Sequence, residues 1–262
     1  MAPRVDNERL EAALAVARAA ADAAEAVIAR YYRRSVAVEL KLDESPVTVA
    51  DREAELEIRR VLEATYPEHG YYGEEYGRSA GGSDHLWLID PIDGTKSFVR
   101  DCPFFSTQVA LMQRDALVLG VSSARQFGEV AWARRGGGAW LDGARIRVSA
   151  CTSLAQAAIS FGNLKTLAAS QRWQRLARVV QDANRTRGYG DFYHYHLLAR
   201  GSIDAVIESD VNILDIAALV VIVREAGGVF TDLEGGEVTL ETTSVLAAST
   251  PELHRAMLDA LR

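Results

Sequence analysis

The sequence predicts an α+β half followed by an α/β half, and three observations carry that reading. Two helical periodicities open the chain, a series of short apolar segments separated by turn residues follows, and after about residue 150 strands and helices alternate. A chain of 262 residues can bury one large core in a single unit of two lobes, 1–150 and 151–262. No Pro/Gly/Ser-rich linker divides the lobes, and there are no repeats or low-complexity tracts.

Over 7–32 the chain is alanine-rich, with Leu10, Leu14, Ala17, Ala21, Ala24 and Ile28 at three- and four-residue steps, the pattern of an amphipathic helix. A polar stretch, 41–46, leads to Thr48, which can cap a second helix whose Ala50, Ala54, Ile58, Val61 and Leu62 share one face. Asp51 falls in its first turn, where the helix dipole favours a carboxylate. Segments 71–73, 86–89, 107–112, 116–121, 130–134 and 146–148 read as strands of an antiparallel meander, interrupted near Thr95 by a short helix. Further helices are expected over 168–181, 192–199, 215–226 and 251–261.

Composition narrows the function classes. A net charge of −7 offers no general attraction for nucleic-acid backbones, and no nucleic-acid-binding motif is present. The longest apolar run, 216–223, is far below the roughly 20 residues that span a bilayer. The N-terminal stretch mixes Arg4, Asp6, Glu8, Arg9 and Glu11 among its alanines, so it lacks the apolar core of a signal peptide. Cys102 and Cys151 are two thiols in a long chain and read as free, which fits a reducing compartment. A cytoplasmic protein without a membrane partner is the expectation.

The most informative segment is 86–95. An apolar strand ends in Asp90 and Asp93, and Pro91 stiffens the turn between them. Such a turn can aim both carboxylates and the Ile92 carbonyl at one site. These are oxygen ligands suited to Mg²⁺, whereas Zn²⁺ prefers His and Cys, which do not cluster here. Gly94 and Thr95 then open a helix whose free N–H groups can grip a phosphate. A turn-forming and capping role for the two aspartates is the alternative.

With these residues in view, the sequence resembles the inositol monophosphatase superfamily. Asp90-Pro-Ile-Asp-Gly-Thr95 matches its metal-binding signature, Gly73-Glu74-Glu75 its upstream glutamate motif, and the segment from Ser45 to Asp51 its early loop-helix motif. Leu214-Asp215-Ile-Ala-Ala218, followed by Glu225-Ala-Gly-Gly228, matches its late aspartate motif; the family's usual Trp before that aspartate is Leu214 here. The resemblance implies a layered α-β-α-β-α sugar-phosphatase fold and a phosphomonoesterase that uses two Mg²⁺ ions about 3.5–4 Å apart. It also implies that Glu74, Asp90, Asp93, Asp215 and the Ile92 carbonyl ligate metal. Thr95, oriented by Asp51, and Glu74 would position the attacking water. Lithium sensitivity and a homodimer are expected on the same basis. For Asp215, a plain first-turn helix carboxylate is the alternative, and the assignment of Glu74 rather than Glu75 rests on the motif.

Substrate choice is expected in the second half. Gly190-Asp191-Phe192-Tyr193 resembles the Gly-Asp-Xaa-Tyr pattern of histidinol-phosphate phosphatases in the same superfamily, and Glu208 stands seven positions before Asp215, as does the family's substrate-contacting glutamate. Carboxylates at Asp191 and Glu208 would complement the cationic groups of histidinol phosphate, placing the enzyme in histidine biosynthesis. Asp93, Gly94, Thr95, Gly190 and Asp215 would complete the substrate contacts. An inositol-1-monophosphatase or broad sugar phosphatase is the alternative, and a metal-binding regulatory protein is the alternative from another class. Asp191 as a helix cap, with the tyrosines in the core, is the competing structural reading, and His194 and His196 read as packing or surface residues.

Overall fold

A computed structural model describes residues 7–34, 38–40 and 46–262; residues 41–45 of the expected polar stretch lie outside it. Helix α1 (Asn7–Ile28) ends four residues before the expected limit, and α2 (Val49–Thr65) packs against it. Strands β1 (Val38–Leu40) and β2 (Pro46–Thr48) form a small antiparallel pair leading into α2.

An eight-stranded sheet follows. Its strands are β3 (Gly70–Gly73), β4 (Gly77–Ser79), β5 (His85–Asp93), β6 (Ser106–Gln113), β7 (Ala116–Ala124), β8 (Glu129–Arg134), β9 (Gly138–Leu141) and β10 (Ala144–Ile146), in the order β10-β9-β8-β7-β6-β5-β3-β4. The expected antiparallel meander holds from β5 to β10 and fails at the other edge, where β3 runs parallel to β5. The physical reason is β4, a short strand too polar to read as one, which turns back along β3 and occupies the chain between the two parallel partners. The last expected strand lies at β10, not at 146–148. Between β5 and β6 sits the single-turn helix α3 (Thr95–Phe98).

The second half contains β11 (Ala158–Phe161), α4 (Lys165–Ala168), α5 (Arg172–Asp182), β12 (Arg185–Arg187), α6 (Asp191–Ala199), β13 (Ala205–Ser209), α7 (Ile213–Glu225), β14 (Val229–Asp232), β15 (Ser244–Ala248) and α8 (Pro251–Leu261). The helix expected over 168–181 starts only at Arg172, as α5, with the single-turn α4 before it, because the Ser170 hydroxyl bonds the Leu167 carbonyl and caps Arg172 N–H, competing with helix continuation between them. A five-stranded sheet of order β12-β11-β13-β15-β14 is parallel over its first three strands and antiparallel over the rest.

These pieces stack as α-β-α-β-α. The outer layer α1 and α2 packs with Trp87, Ile89, Val109 and Leu111 on one face of the large sheet, while the alternating Leu88, Ala110 and Met112 meet α6 and α7 on the other. Helices α5 and α8 close the far side of the small sheet. Held between two sheets, α7 is apolar around its whole circumference from Ile216 to Val223. Its approach to β7 is close: a Cβ at Gly120 would lie 2.4 Å from the Ala218 carbonyl oxygen.

That contact fixes where the start of α7 lies, and with it Asp215. Gly120→Ala is expected to lower stability by about 1–3 kcal/mol in urea unfolding, the range for overpacking a filled core. An unchanged midpoint would show that the helix can retreat without cost.

Candidate active site

Three chain segments deliver the acidic residues, and each does so by a local device. In β5 the pairing with β6 slips between Asp90 and Asp93: Asp90 faces Gln108 and Asp93 faces Ser106, so three steps on one strand oppose two on the other. Residues an odd number apart on a regular strand point to opposite faces; the extra residue restores both aspartates to one side. The bulge is held by Ile92 N–H donating to Asp90 Oδ1 (3.0 Å) and by the Thr107 hydroxyl donating to the Pro91 carbonyl (2.8 Å). Gly94 follows at φ +91°, and a Cβ there would meet the Phe104 carbonyl at 2.7 Å.

Asp51 and Asp215 are each the third residue of a capped helix. Thr48 N–H and its hydroxyl donate to Asp51 Oδ2 at 2.8 and 2.6 Å, and Asn212 N–H and Nδ2 donate to the two oxygens of Asp215 at 2.9 and 2.7 Å. Both are capping boxes. Asn212 also explains why α7 starts at Ile213, two residues ahead of the expected limit. Capping and site formation are therefore compatible. Asp51 keeps Oδ1 for the Thr95 hydroxyl, 3.2 Å away, which also lies 3.0 Å from the Ile92 carbonyl.

Oxygen atoms of Asp90, Asp93 and Asp215 lie within 4.8 Å of one another, and the Glu74 carboxyl hydrogen-bonds to Asp90. Burial first, and then the neighbouring carboxylates, push Asp90 and Asp93 well above the usual carboxylate range. Burial likewise raises Asp215 to about 7, with Glu74 and Glu208 adding to it, and raises Asp51. The structure thus brings Glu74, Asp90, Asp93 and Asp215 together, with Thr95, Asp51 and the Ile92 carbonyl adjoining.

Asp93 and Asp215 also line a cavity with Asn163, Asp191, Tyr195 and Glu208, whose apolar wall is Val211, Ile216 and Leu219. Asp191 is the first residue of α6 and Gly190 its cap, both at positive φ (45° and 72°), so the cap position falls on glycine and not on Asp191. Burial and Glu208 raise its carboxyl to about 6, with His194 and Lys96 opposing. Burial acts to raise Glu208 too, but its neighbour His194 foremost, with hydrogen bonds from the His194 ring, the Tyr195 hydroxyl and the Asn163 N–H, outweighs it and holds Glu208 below its ordinary value. His194 and His196 are both fully buried, which excludes a surface role. His196 joins Ser122 (2.9 Å) to Glu129 (3.1 Å).

Sequence reasoning missed Glu55. Its carboxylate accepts from Glu75 N–H (2.7 Å) and from Arg59 Nε (2.9 Å), and lies where a Cβ on Gly73 would be, at 1.9 Å. It therefore braces the turn that carries Glu74. The signal was present: an acidic residue on the apolar face of α2, four residues before an arginine. Ser106 and Gln108 were also overlooked; the Ser106 hydroxyl donates to Asp93 (3.4 Å) and is itself held by Gln108 (2.8 Å).

The chain is similar to known proteins over most of its length. The family model described as the inositol monophosphatase family matches residues 9–262. A histidinol-phosphatase of Mycobacterium tuberculosis is 39% identical over 228 residues, 85% of this chain and 88% of its own length. An inositol-1-monophosphatase of Rhizobium meliloti is 35% identical, over 82% of this chain and 83% of its own. The crystal structure of the extragenic suppressor protein suhB from Bartonella henselae superposes with a TM-score of 0.88 at 30% identity, covering 96% of this chain and 98% of that one.

The raised carboxyls give a signed expectation. Asp215 titrates near 3.8 when unfolded and near 7 in the metal-free fold, so between those values the folded state holds the extra proton. Its contribution to stability is then lost as pH rises through that window. In EDTA, the urea midpoint of wild type relative to Asp215→Asn should fall between pH 4 and pH 7; parallel pH profiles would contradict the repulsion.

Proposed function

The chain belongs to the inositol monophosphatase family, and from that premise we propose that it hydrolyses the phosphate monoester of a small soluble metabolite, histidinol phosphate, giving histidinol and inorganic phosphate. The observation that carries the reading is one acidic cavity with two ends: the Asp90, Asp93 and Asp215 cluster adjoins a pocket walled by Asp191 and Glu208.

The donor set fits a hard divalent cation. It is built of carboxylate oxygens without His or Cys, and its members cannot remain ionised together without positive charge between them. When held by Glu74, Asp90, Asp93, Asp215 and the Ile92 carbonyl, Mg²⁺ supplies charge to neutralise phosphoryl oxygens and lowers the pKa of water. The chain's own groups perform the remaining work. Thr95 donates its hydroxyl proton toward Asp51, which leaves its lone pairs to accept from a water. Glu74 accepts that water's other proton, and the two together aim its oxygen at phosphorus. As the new P–O bond forms, the bond to the alcohol oxygen breaks in line, and the leaving alkoxide takes a proton from solvent. Gly94 and Thr95 N–H groups steady the phosphoryl oxygens.

Support for a cationic alcohol comes from the other end of the cavity. Asp191 and Glu208 form a wall suited to ammonium or imidazolium, whereas an inositol ring asks for hydroxyl partners. The Mycobacterium tuberculosis histidinol-phosphatase, at 39% identity, is more similar to this chain than the Rhizobium inositol-1-monophosphatase, whose 35% identity nevertheless keeps inositol 1-phosphate as the second reading. The proposal includes one catalytic unit of two lobes, a homodimer in the cytoplasm, and inhibition by lithium; among the described residues no helix is long and apolar enough to cross a membrane.

Phosphate release from histidinol phosphate and from inositol 1-phosphate, each with Mg²⁺, tests the substrate. Histidinol phosphate is expected to have the higher kcat/KM, and EDTA to abolish turnover of both. Inactivity on every ester would return the chain to a metal-binding regulatory role. Thr95→Ala is expected to lower kcat by about 10²–10⁴ with little change in KM; a KM effect alone would remove Thr95 from the attacking-water machinery.

A further inference from the structure

His194 has no part in the chemistry above, yet it lies fully buried at the centre of a hydrogen-bonded chain that ends in the substrate cavity. Tyr189 N–H donates to Ser160 Oγ (3.2 Å), Ser160 Oγ lies 3.3 Å from His194 Nδ1, and His194 Nε2 lies 3.1 Å from Glu208 Oε2. Two more donors converge on the same carboxylate: the Tyr195 hydroxyl reaches Oε2 (2.8 Å) and Asn163 N–H reaches Oε1 (3.2 Å). The other side of Glu208 rests on backbone, since a Cβ on Gly162 would lie 1.9 Å from Oε1.

The proton positions follow from this network. An ionised carboxylate only accepts, so Nε2 of His194 carries hydrogen. Ser160 accepts from Tyr189 and has its own proton free to give, so Nδ1 accepts it. The ring therefore serves Glu208 as a donor without needing a second proton. Ser160 fixes the tautomer from behind, as outer partners fix ligating histidines in metal sites.

The energetic consequence decides the role. A buried carboxylate is costly unless it is paired or hydrogen-bonded. A lysine or arginine would meet that cost and cancel the charge, but among the described residues Glu208 forms no ion pair with either. Three dipolar donors stabilise it and leave its negative charge facing the cavity. We propose that His194, backed by Ser160, is a positioning residue that holds Glu208 as an oriented carboxylate, and thereby sets the enzyme's preference for esters whose alcohol portion is cationic. The inference rests on the reading of a cationic ester given above, and assigns the residue that makes that wall selective.

The test compares kcat/KM for histidinol phosphate with kcat/KM for inositol 1-phosphate, whose alcohol portion is uncharged. In wild type the ratio should exceed one; a ratio at or below one sinks the cationic-ester reading itself. His194→Phe keeps the ring and removes both nitrogens. It should lower the ratio by about ten- to a hundredfold, through KM for the cationic ester, the range for losing a hydrogen bond to a charged group. His194→Gln, which can still donate toward Glu208, should recover most of the ratio, and Ser160→Ala should lower it by less than His194→Phe. If wild type discriminates but His194→Phe depresses both esters equally, or Gln gives no recovery, His194 is only a core residue and the inference is wrong. Should His194→Phe fail to fold, Ser160→Ala against His194→Gln carries the same comparison: equal ratios in Ser160→Ala and wild type would overturn the proposal.

Discussion

The mutual repulsion of buried carboxylates organises this molecule. Asp90, Asp93 and Asp215 are held with oxygens within 4.8 Å, in surroundings that disfavour charge, and Glu74 presses against the same group. Left to itself such an arrangement would relax apart. It persists because each member is tied to backbone by bonds belonging to something larger: a strand bulge for Asp90 and Asp93, a helix cap for Asp215, and a braced turn for Glu74. The fold thus stores an unfavourable electrostatic configuration that a cation relieves.

The layered architecture supplies the rigidity this requires. Helix α7 is enclosed by two sheets and touches the backbone of β7 at Gly120, so its first turn cannot drift. Asp215 consequently keeps a fixed relation to β5, although the two are far apart in sequence. The same helix layer carries His194 on α6, and β13 carries Glu208 beside it. One packed interface therefore positions both the acidic cluster and the cavity wall that adjoins it. Hydrolytic chemistry and substrate recognition share a mechanical foundation.

Much of this was legible in the residues, and the exceptions have physical causes. The periodicities of α1, α2 and α8 and the apolar runs of β5 to β8 fix their own structure locally, so their positions follow from sequence. The Asp90-to-Thr95 string also announces its turn through Pro91 and Gly94. By contrast, the parallel pairing of β3 with β5 depends on where the polar β4 goes, a long-range choice that no local pattern encodes. The α4/α5 break turns on a single Ser170 hydroxyl competing with the helix. Glu55, Ser106 and Gln108 escaped notice because their function is to hold other side chains, and such roles appear only when distant segments meet. His194 read as packing for the same reason; its burial fits that reading, but its bond to Glu208 was invisible before the strands were assembled.

The bulge in β5 has a further consequence, which concerns parity. Two aspartates three positions apart share a side only because one residue goes uncounted in the ladder with β6. Losing a single codon between them would leave the aspartates two positions apart on a regular strand, still on one side but without the bulge that turns Pro91 and Ile92 out of the ladder. Side chains around the centre can be exchanged singly and by degrees, but this segment changes length only by whole residues, and each such change remakes the turn beneath the acidic cluster at once.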